Sequence, residues 1–474
     1  MEWPAYYLDE YEKLVTRLSP PSVRVDNAGC ADATRIIIDG VRKHETLLEA
    51  IQIIADLDLF IKKAYVSFDG RWFMDVFYVT DLEGNKLTDI SVINYIEQSL
   101  SKIQFVGSKS IEGLTALELT GSDRVGLLSE VFAVLSDLQV NVVESKAWTH
   151  NGRIASLVYV KDCDSGLLIQ EESKTEMIET WLMNVLKGDN NSGSVKTLVS
   201  LKVIPTERRL HQMMLADRDY EQKPIFRTNW ESSIVLIQNR LERGYSGINV
   251  YCKDRARLLF DVVCTLTDMD YVVFHAVVNT TGDTAHMEFF VKNTNGVPIN
   301  SEAEKQFVIL CLRAAIERRA SEGVRLELRA EDRPGLLAEV MKTFRECGLN
   351  VIRAEISTTC DIARNIFYVT DTVGNAADTK MIESIRQKIG LGNLKVKELP
   401  LTYQYKAETC DNPPSTSCNG AFFNSLGNLV TRNLRYLGSL IRPSSGTIKR
   451  QIVSSVSSVF RFSTEAFRTC FLGT

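Results

Sequence analysis

The segment DRPGLLAEVMKTF, beginning at Asp332, recurs along the chain, and that recurrence constrains the fold more than any other feature. Aligned on the paired leucines, it matches DRVGLLSEVFAVL at Asp123 and DRARLLFDVVCTL at Asp254, with a weaker copy, KHETLLEAIQIIA, at Lys43. The register persists without a gap: 18 residues on stand Asn350, Asn141, Val272 and Ile61. At 36 residues comes an aromatic, Tyr368, Tyr159 or Phe290, and the first copy reaches Tyr78 after 35. Four copies of one unit are present.

The fourth copy shows what the unit is. GVRLELRA alternates apolar and polar residues with a period of two, the mark of a strand with one buried face. Leu336, Leu337, Val340, Met341 and Phe344 then fall at helical spacing, and Gly348 stops the helix. VIRAEISTTC and ARNIFYVTD form a hairpin, and Met381, Ile382, Ile385 and Ile389 line one face of a second helix between Asp378 and Gly390. Two helices on one side of an antiparallel sheet predict an α+β, ferredoxin-like βαββαβ sandwich. Copies two and four end in a closing strand, VKTLVSLKV from Val195 and LKVKELPLTY from Leu394, whereas copies one and three have none. Those two are preceded instead by SVRVDNA at Ser22 and SIVLIQN at Ser233, pieces expected to fill the missing position, so copies one and three read as circularly permuted. Because an open sheet edge is a liability, the four copies are expected to form two paired modules, one with two and three with four.

A chain of 474 residues must hold several domains, since one core rarely outgrows roughly 250 to 300 residues. The boundaries read as an N-terminal segment 1–18, units at 19–108 and 109–205, a linker 206–231, units at 232–321 and 322–405, and a tail 406–474. No run of 18 apolar residues occurs and MEWPAYYLDEYEKL is acidic where a signal peptide is basic, so cytoplasmic residence is expected; short basic pieces such as IKRQIV leave nuclear residence open. Ten scattered cysteines without CxxC pairs read as reduced packing residues, and five isolated histidines offer no metal or catalytic cluster. TERRLHQMMLADRDYEQ in the linker places Asp217 and Asp219 two positions apart, but without a phosphate-cradling loop this reads as solvated charge rather than a Mg²⁺ site. The tail carries 8 Lys/Arg against 3 Asp/Glu and a helical apolar stripe from Phe422 to Ile441. Such a helix can lie on an anionic membrane surface, giving peripheral contact through 420–474, or dock on protein.

The repeated turn is a candidate site. A helix start leaves N–H groups without internal acceptors, its dipole attracts a carboxylate, and Gly126 or Gly335 has no Cβ to obstruct a ligand. Asn141 and Asn350 return to the same end of the sandwich and offer both donor and acceptor. The combination suits the α-carboxylate and α-ammonium of a free amino acid. The structural alternative is that Asp123 and Asp332 cap their helices and the glycines permit the turn.

DRPGLLAEV, then GLNV, then a hairpin ending in YVTD, resembles the ACT domain, a βαββαβ regulatory module that commonly binds amino acids between two copies. Four such units, with WFMDVFYVTDLEGNKL in the first and RRLHQMMLADRDYE in the linker, resemble the plant ACT-domain-repeat (ACR) family over about residues 19–405. The pair also resembles the C-terminal ACT pair of bacterial uridylyltransferases, whose catalytic domains have no counterpart in this sequence. The resemblance implies a regulatory protein rather than an enzyme, with no cofactor and no nucleic-acid partner. Its ligand would be a free amino acid, with glutamine as a candidate, and its output a protein partner or homo-oligomer. Carried over residue by residue, ligand binding falls on Asp123, Gly126, Leu127 and Asn141 in copy two and on Asp332, Gly335, Leu336 and Asn350 in copy four. Copy three has Arg257 and Val272, and copy one Thr46 and Ile61, so those copies are expected to complete sheets or pocket walls; the alternative function is a ligand-independent interaction scaffold.

Overall fold

The structure, a computed structural model, describes residues 21–41, 46–69, 72–101, 113–188, 196–200, 205–221, 233–240, 243–319 and 323–397. The chain divides into units 1–401 and 402–474, the second lying wholly outside the described residues together with the 1–18 segment and Lys43. The expectation for the basic tail therefore falls outside them as well.

Copy one comprises β1 (Ser22–Asp26), β2 (Thr34–Val41), α1 (Thr46–Asp56), β3 (Phe60–Phe68), β4 (Trp72–Thr80) and α2 (Ile90–Ser101). Copy two comprises β5 (Thr115–Ser122), α3 (Leu127–Asp137), β6 (Val140–His150), β7 (Arg153–Asp162), α4 (Glu172–Lys187) and β8 (Lys196–Ser200). After the linker helix α5 (Thr206–Ala216), copy three runs β9 (Ile234–Arg240), β10 (Tyr245–Lys253), α6 (Leu258–Asp268), β11 (Tyr271–Thr281), β12 (Thr284–Asn293) and α7 (Glu302–Glu317). Copy four closes with β13 (Val324–Glu331), α8 (Leu336–Glu346), β14 (Leu349–Thr359), β15 (Ile362–Asp371), α9 (Thr379–Ile389) and β16 (Leu394–Lys397). Asp378 caps α9 by accepting the Lys380 N–H, and Gly390 ends it at φ 112°. α8 buries Leu336, Val340, Met341 and Phe344, leaving Lys342 and Glu346 on its solvent side.

β1 lies antiparallel beside β2 where β8 lies beside β5, and β9 takes the same place beside β10. Among the described residues the sheets are two, each eight-stranded: β1-β2-β4-β3-β11-β12-β10-β9 and β16-β13-β15-β14-β6-β7-β5-β8. This corrects the expected pairing, for copy one joins copy three and copy two joins copy four. The physical reason is self-complementarity. Each seam joins a strand to its own repeat equivalent, so the register is two-fold: Tyr65 pairs with Val277 and Val66 with Ala276, Ala147 with Ala354 and Ser145 with Ile356. An open sheet edge needs a covering neighbour, but any copy with a matching strand can serve. A bulge recurs at the same place in all four copies, before Lys63, Glu144, His275 and Arg353.

Each sheet carries four helices on one face over its own apolar core. The other face of copy two is covered by α5, whose Leu210, Met213 and Met214 pack on Trp148, Leu157 and Tyr159. The linker is thus an inner layer between that sheet and copy three. Its Glu207, Asp217 and Asp219 are buried and paired while Arg218 and Glu221 stay exposed, a second correction: the solvated reading follows from the cost of burying a lone charge, but both neighbours supply partners.

Candidate functional site

Helix α3 begins at Gly126, whose φ of +82° is left-handed and favours glycine. No side chain caps this start, so the capping role expected of Asp123 is not what it performs. Its backbone N–H donates to Gly152 O at 2.8 Å, tying the turn to the neighbouring hairpin. Its carboxylate accepts from the Arg124 N–H, and burial pushes the carboxyl up to about 7 despite that bond and the nearby guanidinium. Leu127 N–H is taken by Arg124 O at 3.1 Å and Glu130 N–H by Gly126 O at 3.2 Å. Between them, Leu128 and Ser129 keep the N–H groups that a helix start leaves without intrahelical acceptors.

These groups face copy four across a narrow cleft lined by Asp123, Gly126, Leu127, Leu128 and Ser129 on one side and Met341, Phe344, Arg345 and Asn350 on the other. The turn of copy two therefore meets the asparagine of copy four, not that of its own copy, because α3 and α8 lie side by side across the seam. Asn141, Asp332, Gly335 and Leu336 do not line this cleft. Gly335 has φ +79° and stands at the two-fold-related position, where Ser136 Oγ is 3.6 Å from the point a Cβ would occupy; Asp332 N–H donates to Asp361 O at 2.8 Å, as Asp123 does to Gly152.

Sequence reasoning missed Arg345. Its Cδ lies 2.7 Å from where a Cβ on Gly126 would be, and its Nη1 donates to Glu130 Oε1 at 3.3 Å. Glu130 also accepts from Arg124, whose Nη2 reaches Val185 O at 2.9 Å. The only sequence signal is that Arg345 and Ser136 occupy the same place in their repeats, which becomes informative once the pairing is known.

A second narrow cleft lies at the corresponding place between copies one and three. Ile51, Ile54, Leu59 and Ile61 form one wall, and the copy-three turn with Asp254, Arg255 and Arg257 forms the other. Burial pushes the Asp254 carboxyl up to about 6. Arg257 holds the left-handed conformation, φ +64°, that glycine supplies elsewhere, and is fixed by Glu207 and by Asp58 at 3.0 Å.

Glu207 begins a buried ion network along the linker. It accepts from Lys146 at 2.9 Å and from Arg257 and Arg319. Arg318 donates to both oxygens of Asp219 at 2.7 Å, and His150 Nδ1 lies 2.9 Å from Asp219 Oδ2. Burial alone would raise the Asp219 carboxyl, but Arg318 and His150 outweigh it and hold it at about 2. Arg318 Nη1 also donates to His211 Nδ1 at 2.9 Å; arginine cannot accept, so His211 carries its proton on Nε2 and donates to Asp261 at 2.8 Å. Asp217 is clasped by Arg153 at 2.6 Å. The linker carboxylates are thereby committed to protein cations, and among the described residues no group of three or more ligating side chains could hold a metal. No described helix is long and apolar enough to cross a membrane.

Paired βαββαβ units with a cleft at each seam define an ACT-repeat protein of the regulatory kind. Residues 29–107 match the ACR family N-terminal ACT domain, 234–321 the ACR9-like, ACT-like domain and 324–390 the ACT domain. ACT domain-containing protein ACR8 from Arabidopsis thaliana is 56% identical over 434 residues, covering 91% of this chain and 98% of that protein. ACR6 from the same plant is 48% identical over 82% of this chain and 92% of its own length, and ACR4 is 47% identical over 88% and 95%. The chain belongs to the plant ACT-domain-repeat (ACR) family.

Proposed function

We propose that the protein is a non-catalytic sensor that holds a free amino acid in the cleft between copies two and four and relays occupancy to a protein partner. The observation that carries this reading is the convergence of helix-start N–H groups, Asp123 and Asn350 from two copies on one cleft. The N–H groups would take the ligand α-carboxylate, and Asp123 with the Asn350 amide oxygen would take its ammonium. Occupancy bridges α3 and β14, so it acts on the seam that joins the copies. A ligand at 100 times its Kd adds about 2.7 kcal/mol of stability, a rise of a few degrees in melting temperature. Thermal-shift measurements on the full chain with each common amino acid should find such a rise, abolished by Gly126→Asp. No shift with any of them, or an undiminished shift in the variant, overturns the reading.

A ligand-independent scaffold is favoured at the other seam by Arg257, which fills the glycine position and is anchored to Glu207. Client binding that ignores every amino acid is its signature.

A further inference from the structure

We propose that β9, the last strand of the first sheet, is a docking edge for a second copy of this chain, the two β9 strands pairing antiparallel about a two-fold axis.

Each sheet ends in two edge strands, and an edge presents unpaired N–H and C=O groups on which another strand can add. Three of the four edges are short and charged. β1 (SVRVD) has five residues with Arg24 at its centre and Asp26 at its end, β8 (KTLVS) has five and opens on Lys196, and β16 (LKVK) has four, two of them lysines. β9 (IVLIQNR) has seven residues, and its only charge is the terminal Arg240. It contains no proline, and its register with β10 runs over all seven residues without a bulge. Among the described residues no strand lies beyond it. Val235 and Ile237 turn toward the core, while Ile234 and Leu236 stand on the opposite face, 47% and 49% exposed. The devices that blunt the other edges are missing from this one.

The occupant follows from charge and from the way this chain already pairs its strands. Both seams set a strand antiparallel to its own repeat equivalent, β3 to β11 and β6 to β14, and β9 against β9 repeats that operation between molecules. With the axis through Leu236, that residue faces its own copy, Ile234 faces Gln238 and Val235 faces Ile237, while Arg240 falls beyond the paired stretch. The same operation on β1 would set Arg24 against Arg24. A two-fold contact closes on itself, so it gives a dimer and not a fibre. One strand pair buries less than a standard interface, so the dimer should depend on concentration.

Sedimentation equilibrium of the full chain over a concentration series, without added amino acid, tests this independently of the cleft. The mean mass of wild type should climb from that of one chain toward that of two. Leu236→Lys sets two ammonium groups opposite each other and should weaken the dimer about tenfold or more. Gln238→Lys, at an exposed polar position of the same face, should weaken it too and serves if Leu236→Lys does not fold, which the melting temperature of dilute protein reports. Leu198→Lys, on the β8 edge where Leu198 is 50% exposed, should leave the dimer intact. A wild type that keeps the mass of one chain at every concentration, a dimer undiminished in the folded β9 variants, or an equal loss in Leu198→Lys overturns the proposal.

Discussion

Asp123 shows how a single carboxyl can be kept close to neutral. It is only partly exposed at the cleft, and burial lifts its carboxyl from the ordinary range to about 7. A raised folded value means that the folded state binds the proton more tightly than the unfolded chain does. The associated stability is fully present below about pH 4 and is lost as pH rises through about 7. Replacing Asp123 by Asn keeps an oxygen to accept the Arg124 N–H and removes the titration. We expect Asp123→Asn to raise the melting temperature relative to wild type at pH 8, with the gain vanishing at pH 4; an equal change at both values would show that another group titrates. Asp332 occupies the equivalent position, but only Asp123 lines the cleft. That difference was invisible in two segments that both read Asp-Arg-x-Gly-Leu-Leu.

At the scale of elements, glycine at a helix start has two separable costs of replacement. Gly126 and Gly335 share a left-handed backbone, φ +82° and +79°, so alanine strains each by about 1 kcal/mol. Only at Gly126 would the new methyl meet a neighbour, Arg345 Cδ at 2.7 Å, whereas at Gly335 it meets Ser136 Oγ at an ordinary 3.6 Å. Urea denaturation should therefore place Gly335→Ala about 1 kcal/mol below wild type and Gly126→Ala about 2, the difference closing when Arg345 is also changed to Ser. The helices and strands themselves were legible from periodicity, because burying one face demands it: Leu336, Val340, Met341 and Phe344 are all in the core. Leu337, equally apolar, is only partly buried against that core, since it lies at the margin of the stripe. What periodicity does not encode is which copy faces which. The four seam strands share one pattern, and the choice is made by complementarity between equivalents far apart in sequence.

The linker helix lies between the two sheets of the described residues and pairs with both. TERRLHQMMLADRD looks like solvated charge because its partners, among them Glu118, Lys146, Asp261 and Arg318, lie 50 or more residues away and form no local pattern. Removing Asp219 would leave Arg318, whose side chain is fully buried, without its bidentate partner. We expect Asp219→Ala to cost about 3–5 kcal/mol and to split a single urea transition into two as the sheets uncouple. A single transition with unchanged midpoint would show that apolar packing by Leu210, Met213 and Met214 alone joins the layers. The two-fold register at both seams has a further meaning. It is the architecture of a homodimer written into one polypeptide, with each half of the chain supplying one side of each seam. Joining the halves makes assembly independent of concentration, and it also frees the two symmetry-related sites to diverge. A dimer of identical chains must present the same residue to both of its turns; this molecule presents Arg345 to one and Ser136 to the other.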